Sequence, residues 1–205
     1  MKELPRLPVN AEVSNWIAGQ FEEGYRGHAV DVGASDGVFI NSTWLLEKHL
    51  MWKVISIEAN PLMKELLMKE RAFVKMCAVA SETAKDVDFH INLDNIESCS
   101  ALKPVVEHWR FKKEKARRWS TVKVNVRTLE DILAEEEFTK LDALCVDVEG
   151  GELDVLKGID LGKWQPRVIV VECWDNGGLD HYLVPKGYVR TWRSAENDCY
   201  LREDW

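Results

Sequence analysis

Three short segments carry residues whose types and spacing suit chemistry. The first is Asp31-Val-Gly33-Ala34-Ser35-Asp-Gly37. Gly33 permits a tight turn, Gly37 lets backbone come close to a ligand, and a helix starting after Gly37 offers free N–H groups. The glycine spacing departs from the G-x-G-x-x-G fingerprint, which argues against a pyrophosphate cradle and hence a nicotinamide oxidoreductase. Asp31 would repel a pyrophosphate and suit an ammonium or sulfonium group. The bland alternative is an ordinary turn from strand to helix.

The second segment holds Glu58, 21 residues after Gly37, in Ile57-Glu58-Ala59-Asn60-Pro61. An acid at that spacing is placed to accept hydrogen bonds from the two hydroxyls of a ribose; otherwise it is a solvated carboxylate at a strand end. The third is Cys145-Val-Asp147-Val-Glu149-Gly-Gly-Glu152, three carboxylates around two glycines. Such acids can orient an amine or hydroxyl, act as a general base or hold a divalent ion. Glu152 also suits a helix N-terminus electrostatically.

The elements that must position these segments are legible as short β-branched runs at Ala29–Val32, Lys53–Ile57, Phe73–Val79, Ala143–Val148 and Arg167–Val171. Most are apolar on both faces, as strands covered by helices on each side would be. Helical patterns lie between them at Ile40–Leu50, Pro61–Glu70 with Asn60 as N-cap, and Gly151–Ile159; another starts at Thr128 with Asp131 in a capping-box position, after the alternating Val122, Val124 and Val126. Strand then helix, repeated, predicts an α/β fold with a parallel sheet. The chain closes on Gly187–Arg193 and Cys199–Arg202 around Glu196, Asn197 and Asp198, a hairpin signal. Ligands in such sheets bind beyond the carboxyl ends of the strands, so Asp147 and Glu149 should share one crevice with Gly33 and Glu58.

The whole chain supports one compact domain, 1–205. It has 205 residues, 46% of them hydrophobic, and shows neither repeats nor a low-complexity linker. A formal charge of −8 argues against a generic nucleic-acid binder and leaves room for a local basic patch. Five widely spaced cysteines, Cys77, Cys99, Cys145, Cys173 and Cys199, read as small hydrophobes in a reducing compartment. The N-terminus lacks a stretch of signal-peptide length, and the longest apolar run, Met76–Ala80, is too short for a membrane span; a cytoplasmic location is the expectation.

Taken in order, these segments resemble the FkbM-type methyltransferases, a branch of the class I S-adenosylmethionine-dependent enzymes. The likeness rests on Ala29–Gly37, Glu58-Ala-Asn60-Pro61, Ser98-Cys-Ser100-Ala-Leu102, Asp147–Glu152 and Val171-Glu172, and runs from about His28 to Leu201. The chain departs from the family pattern at Ala59 and Gly151, where Pro and Ala are common. The resemblance implies a Rossmann-like fold, a mostly parallel seven-stranded sheet ending in an antiparallel hairpin, helices on both faces, and S-adenosylmethionine as cofactor. It also implies that Asp31, Gly33, Ala34, Ser35 and Gly37 surround the methionine part, that Glu58 and Ala59 meet the ribose, and that Asp147 borders the donor. Adenine is then expected near Cys77–Ala80, against Ala78 and Val79.

The reaction expected from this is O-methylation of a hydroxyl on a sugar, glycan or other small molecule. Proton removal would fall to Asp147, Glu149 or His181, the last because histidine titrates near neutrality and follows the fifth strand in an expected loop, Asp175–His181. Asp147, Glu149, Glu172 and Asp175 could instead gather Mg²⁺, although their spacing is not diagnostic and no metal site is assigned. The stretch 103–119 is unlike the rest, with seven basic residues against Glu107 and Glu114, plus Trp109, Phe111 and Trp119. As an insertion near the acceptor site it could grip an anionic sugar or RNA, including cap-like ends. The rival readings are therefore an RNA methyltransferase and a non-catalytic cofactor-binding homologue.

Overall fold

The computed structural model describes residues 10–96, 100–102, 118–173, 178–194 and 196–204. Strands β1 (His28–Val32), β2 (Lys53–Glu58), β3 (Phe73–Met76), β7 (Ala143–Val146) and β8 (Val168–Glu172) run parallel, and β9 (Tyr188–Arg193) and β10 (Asn197–Arg202) complete a seven-stranded sheet in the order β3-β2-β1-β7-β8-β10-β9. Only β10 opposes its neighbours, pairing antiparallel with both β8 and β9. This is the expected architecture with its terminal hairpin.

Each central strand is apolar on both faces because each face has its own layer of helices. Val30, Val32, Ile55, Ile57, Leu144, Val146, Ile169 and Val171 pack with α4 (Leu129–Glu135), α5 (Glu152–Lys157), α6 (Leu161–Trp164) and α7 (Gly178–Leu183) through Leu133, Leu156, Leu161 and Leu183. The intervening residues Ala29, Val54, Ala143, Cys145, Val168 and Val170 pack with α1 (Ala11–Ala18) and α2 (Trp44–Leu50) through Val13, Ile17 and Leu46. Period-two alternation thus sorts one set of residues into two cores. Asn60 caps the 3₁₀ turn Pro61–Met63 leading into α3 (Lys64–Glu70), accepting from the Leu62 N–H. Thr128 caps α4 by accepting from the Asp131 N–H, as its position in the sequence predicts.

Four local expectations are corrected. The run Phe73–Val79 is not one strand: it breaks at Cys77, and β4 (Ala78–Val79) enters a second sheet of order β4-β6-β5, with β5 at Ala84–Asn92 and β6 at Trp119–Arg127. The Val122/Val124/Val126 strand belongs to that sheet, since its one-sided alternation cannot serve where both faces are covered. Helix α2 starts at Trp44 rather than Ile40, because Ile40 is left-handed (φ 51°) and the Asn41 and Thr43 side chains bond within the loop. Asn197 and Asp198 open β10 instead of forming the turn; Asp198 is buried by ion pairs to Arg190 and Arg193.

Residues 103–117 of the expected basic insertion lie outside the described residues, as do Ser98 and Cys99. Among the described residues no helix is long and apolar enough to cross a membrane. Among the described residues Cys77, Cys145 and Cys199 are free thiols.

Candidate functional site

The site forms where β1 and β7 end side by side. The Asp147 N–H donates to the Val32 carbonyl at 2.9 Å, while the Gly33 and Ala34 N–H groups both donate to the Ile57 carbonyl (2.9 and 3.0 Å), so the turn is pinned to both neighbouring strands. Gly33 has φ +87°, and a Cβ there would stand 1.7 Å from the Asp147 carbonyl oxygen, so only glycine fits this crossing of backbones. The Ser35 N–H then points to Glu58 Oε2 at 2.8 Å, and the Asn60 N–H donates to Glu58 Oε1 at 2.6 Å. Burial pushes the Glu58 carboxyl up, and these N–H groups oppose the rise. Each oxygen keeps a further lone pair for a ligand hydroxyl.

These residues border a cavity of about 460 Å³ at the strand ends. Gly33, Ser35, Glu58 and Ala59 line one side; Cys77, Ala78, Val79 and Phe89 another; Asp147 and Glu149 a third. The glycine loop, the strand-two acid and the acidic segment therefore converge. Three lining residues, Ser35 (φ 49°), Ile40 (φ 51°) and Glu149 (φ 60°), hold left-handed backbone, the strained geometry that tends to gather at binding sites.

Asp147, Glu149 and Glu172 bring carboxylate oxygens within 4.8 Å of one another. Burial first, and the Glu149 charge second, push Asp147 up to about 8. Asp175, grouped with them in the sequence, lies outside the described residues. Glu152 instead closes the turn before α5, accepting from the Gly150 N–H at 2.7 Å.

Several expected site residues are placed elsewhere. Asp31 is not on the cavity wall; its Oδ2 accepts from Asn41 Nδ2 (2.7 Å) and Thr43 Oγ1 (2.8 Å) and faces Arg71 Nη1 at 3.7 Å. A carboxylate with those partners already has its counterion. Ala34 is buried behind the turn, and Gly37 (φ +82°) is needed because a Cβ would meet Arg71 Cγ at 2.7 Å and Leu67 Cδ1 at 2.9 Å. His181 is exposed on α7 and does not line the cavity, because the segment expected as a loop is helical there. Sequence reasoning missed Phe39, Ile40, Met63, Phe89 and Leu153 as lining residues. Alternation of Val87, Phe89 and Ile91 was the available signal for β5; the others sit in turns or helices without distinctive spacing.

Sheet order, crevice and acid placement define the class I S-adenosylmethionine-dependent methyltransferase fold. Residues 31–186 match the methyltransferase FkbM domain, and the chain belongs to that family. It is 28% identical over 197 residues to methyltransferase sdnD of Sordaria araneosa, covering 82% of this chain and 75% of that protein. The crystal structure of methyltransferase FkbM from Methylobacillus flagellatus KT superposes with a TM-score of 0.56 at 17% identity, covering 90% of this chain. The chain spans only 45% of that protein's length, and at this identity the likeness concerns the fold.

Proposed function

We propose that this chain transfers a methyl group from S-adenosylmethionine to a hydroxyl of a small molecule, sugar or glycan, with Asp147 removing the hydroxyl proton. The observation that carries this is the arrangement of Asp147, lifted to about 8 and grouped with Glu149 and Glu172, in the same cavity as Glu58. The cavity suits the donor: Glu58 has lone pairs for two ribose hydroxyls, Ala78, Val79 and Phe89 offer an apolar wall for adenine, and the Gly33–Ser35 turn offers open backbone for the methionine end. The donor supplies an electrophilic methyl on a sulfonium.

The protein's own part is alignment and proton removal. An Asp147 whose charged form is disfavoured by burial is a better base than a solvated carboxylate; Glu172 is hydrogen-bonded to it, and the neighbouring Glu149 charge raises its proton affinity further. His181 has no part in this reading. Were the same three carboxylates to gather a Mg²⁺ ion, it would acidify the hydroxyl; metal-free protein retaining full rate in chelator would exclude that version. Methyl transfer to RNA rests on the basic residues of 103–119 and is the second acceptor class to assay.

Calorimetric titration with S-adenosylmethionine, S-adenosylhomocysteine and NAD tests the donor. The first two should bind and NAD should not. Glu58→Gln keeps the size but loses the charge-assisted bonds to the donor hydroxyls, and should weaken S-adenosylhomocysteine about 10- to 100-fold. Comparable binding of NAD, or an unchanged affinity in a folded Glu58→Gln protein, would overturn the donor reading. Radiolabelled methyl transfer to neutral polyols and to capped RNA then decides the acceptor.

A further inference from the structure

We infer that Arg71 is a positioning residue for donor binding, acting through the glycine loop it clamps from behind. The inference rests on the donor reading given above. Arg71 ends α3, and its side chain is wholly buried although nothing in the sequence around it marks a site. Its Nε donates to Glu47 Oε2 at 2.6 Å, its Nη1 donates to the Gly37 carbonyl and to Asn41 Oδ1 (both 3.0 Å), and its Nη2 donates to Thr43 Oγ1 at 2.6 Å. Asp31 Oδ2 lies 3.7 Å from Nη1 and closes the circuit through Asn41 and Thr43.

One planar fork therefore joins β1, the loop, α2 and α3. The loop from Gly33 to Thr43 contains no helix or strand, yet Ser35 within it must keep a left-handed backbone to aim its N–H at Glu58. Glu58 holds the near end of that loop through Ser35; Arg71 holds the far end through Gly37, Asn41 and Thr43. Phe39 and Ile40, which line the cavity, lie between the residues that Arg71 grips. Gly37 contributes by leaving room for the Arg71 side chain.

A lysine can supply the positive charge that Asp31 and Glu47 require but cannot reach four acceptors in one plane. Arg71→Lys separates the clamp from the charge. Wild-type protein is titrated with S-adenosylhomocysteine first; failure to bind there would remove the donor reading itself. In folded Arg71→Lys protein we expect the dissociation constant and the donor KM to rise about tenfold or more, with kcat at saturating donor within about threefold of wild type. A residue that only stabilises the fold would lower Tm and leave the affinity of the folded protein alone, so affinity within about twofold of wild type overturns the inference. Should Arg71→Lys not fold, Thr43→Val decides: it deletes the hydroxyl between Asp31 and Arg71 and keeps both charges. Weakening of about threefold or more supports the clamp, and unchanged affinity overturns it.

Discussion

Gly33→Ala should leave no donor-binding protein, with a loss of stability of more than about 4 kcal/mol. The new Cβ would fall 1.7 Å from the Asp147 carbonyl oxygen, an atom of backbone that no side-chain rotamer can move aside. Retreat of either strand end would break the Asp147–Val32 or Gly33–Ile57 bond. The left-handed φ alone costs only about 1–2 kcal/mol for a residue bearing a Cβ. Gly24 separates the two contributions, since it has φ +80° and nothing within 4 Å of where a Cβ would stand. Urea unfolding of Gly33→Ala and Gly24→Ala should therefore differ by several kcal/mol against a total of about 5–15 for a typical domain. Equal midpoints would mean that the strand ends are not in contact at this seam.

The second large effect concerns Asp147→Asn. Removing a general base typically costs about 10²- to 10⁴-fold in kcat, and that loss is expected here with donor affinity little changed. The pH dependence has a definite sign. Wild-type activity should climb as pH rises toward and through about 8, where Asp147 ionises, and the residual activity of the asparagine protein should lack that step. Stability moves the other way. A carboxyl whose folded value lies above its unfolded value of about 3.9 favours folding most below that value, and the contribution is lost as pH rises to the folded value. Between about pH 4 and about 8 the wild type should thus lose stability that the variant does not lose, and chemical denaturation at about pH 5 and about pH 9 measures the difference. A variant with full activity, or one with the wild-type pH profile, would remove Asp147 as the base.

Much of this was legible in the residues. Double-sided apolar runs such as Val168–Val171 declare a covered strand, and the Asp31–Gly37 turn, Glu58 and Asp147 fall at the strand ends where the topology gathers ligand residues. What was illegible depends on long-range pairing. Nothing local says that Cys77 divides one apolar run between two sheets, because either sheet would accept those side chains. Asp31 read as a ligand because sequence shows its type but not Arg71, 40 positions away and folded against it. His181 read as a loop base because the helix that exposes it is short and lacks a strong start signal.

The seam between β1 and β7 also bears on how the protein is made. Ala29 pairs with Ala143, so the chain must close a very long loop before its central strands meet, and such non-local pairings form late and slowly. Gly33 and Asp147 lie just beyond that pairing, one on each side of it. A nascent chain that has emerged only through β6 holds the glycine turn and Glu58 but lacks Asp147 and Glu149, and of the two neighbours of β1 it has β2 but not β7. Its open strand edge is then a template for association with other chains. Binding competence in this topology is consequently a late event in biogenesis, and ligand available during synthesis can select only chains that have already closed their longest loop.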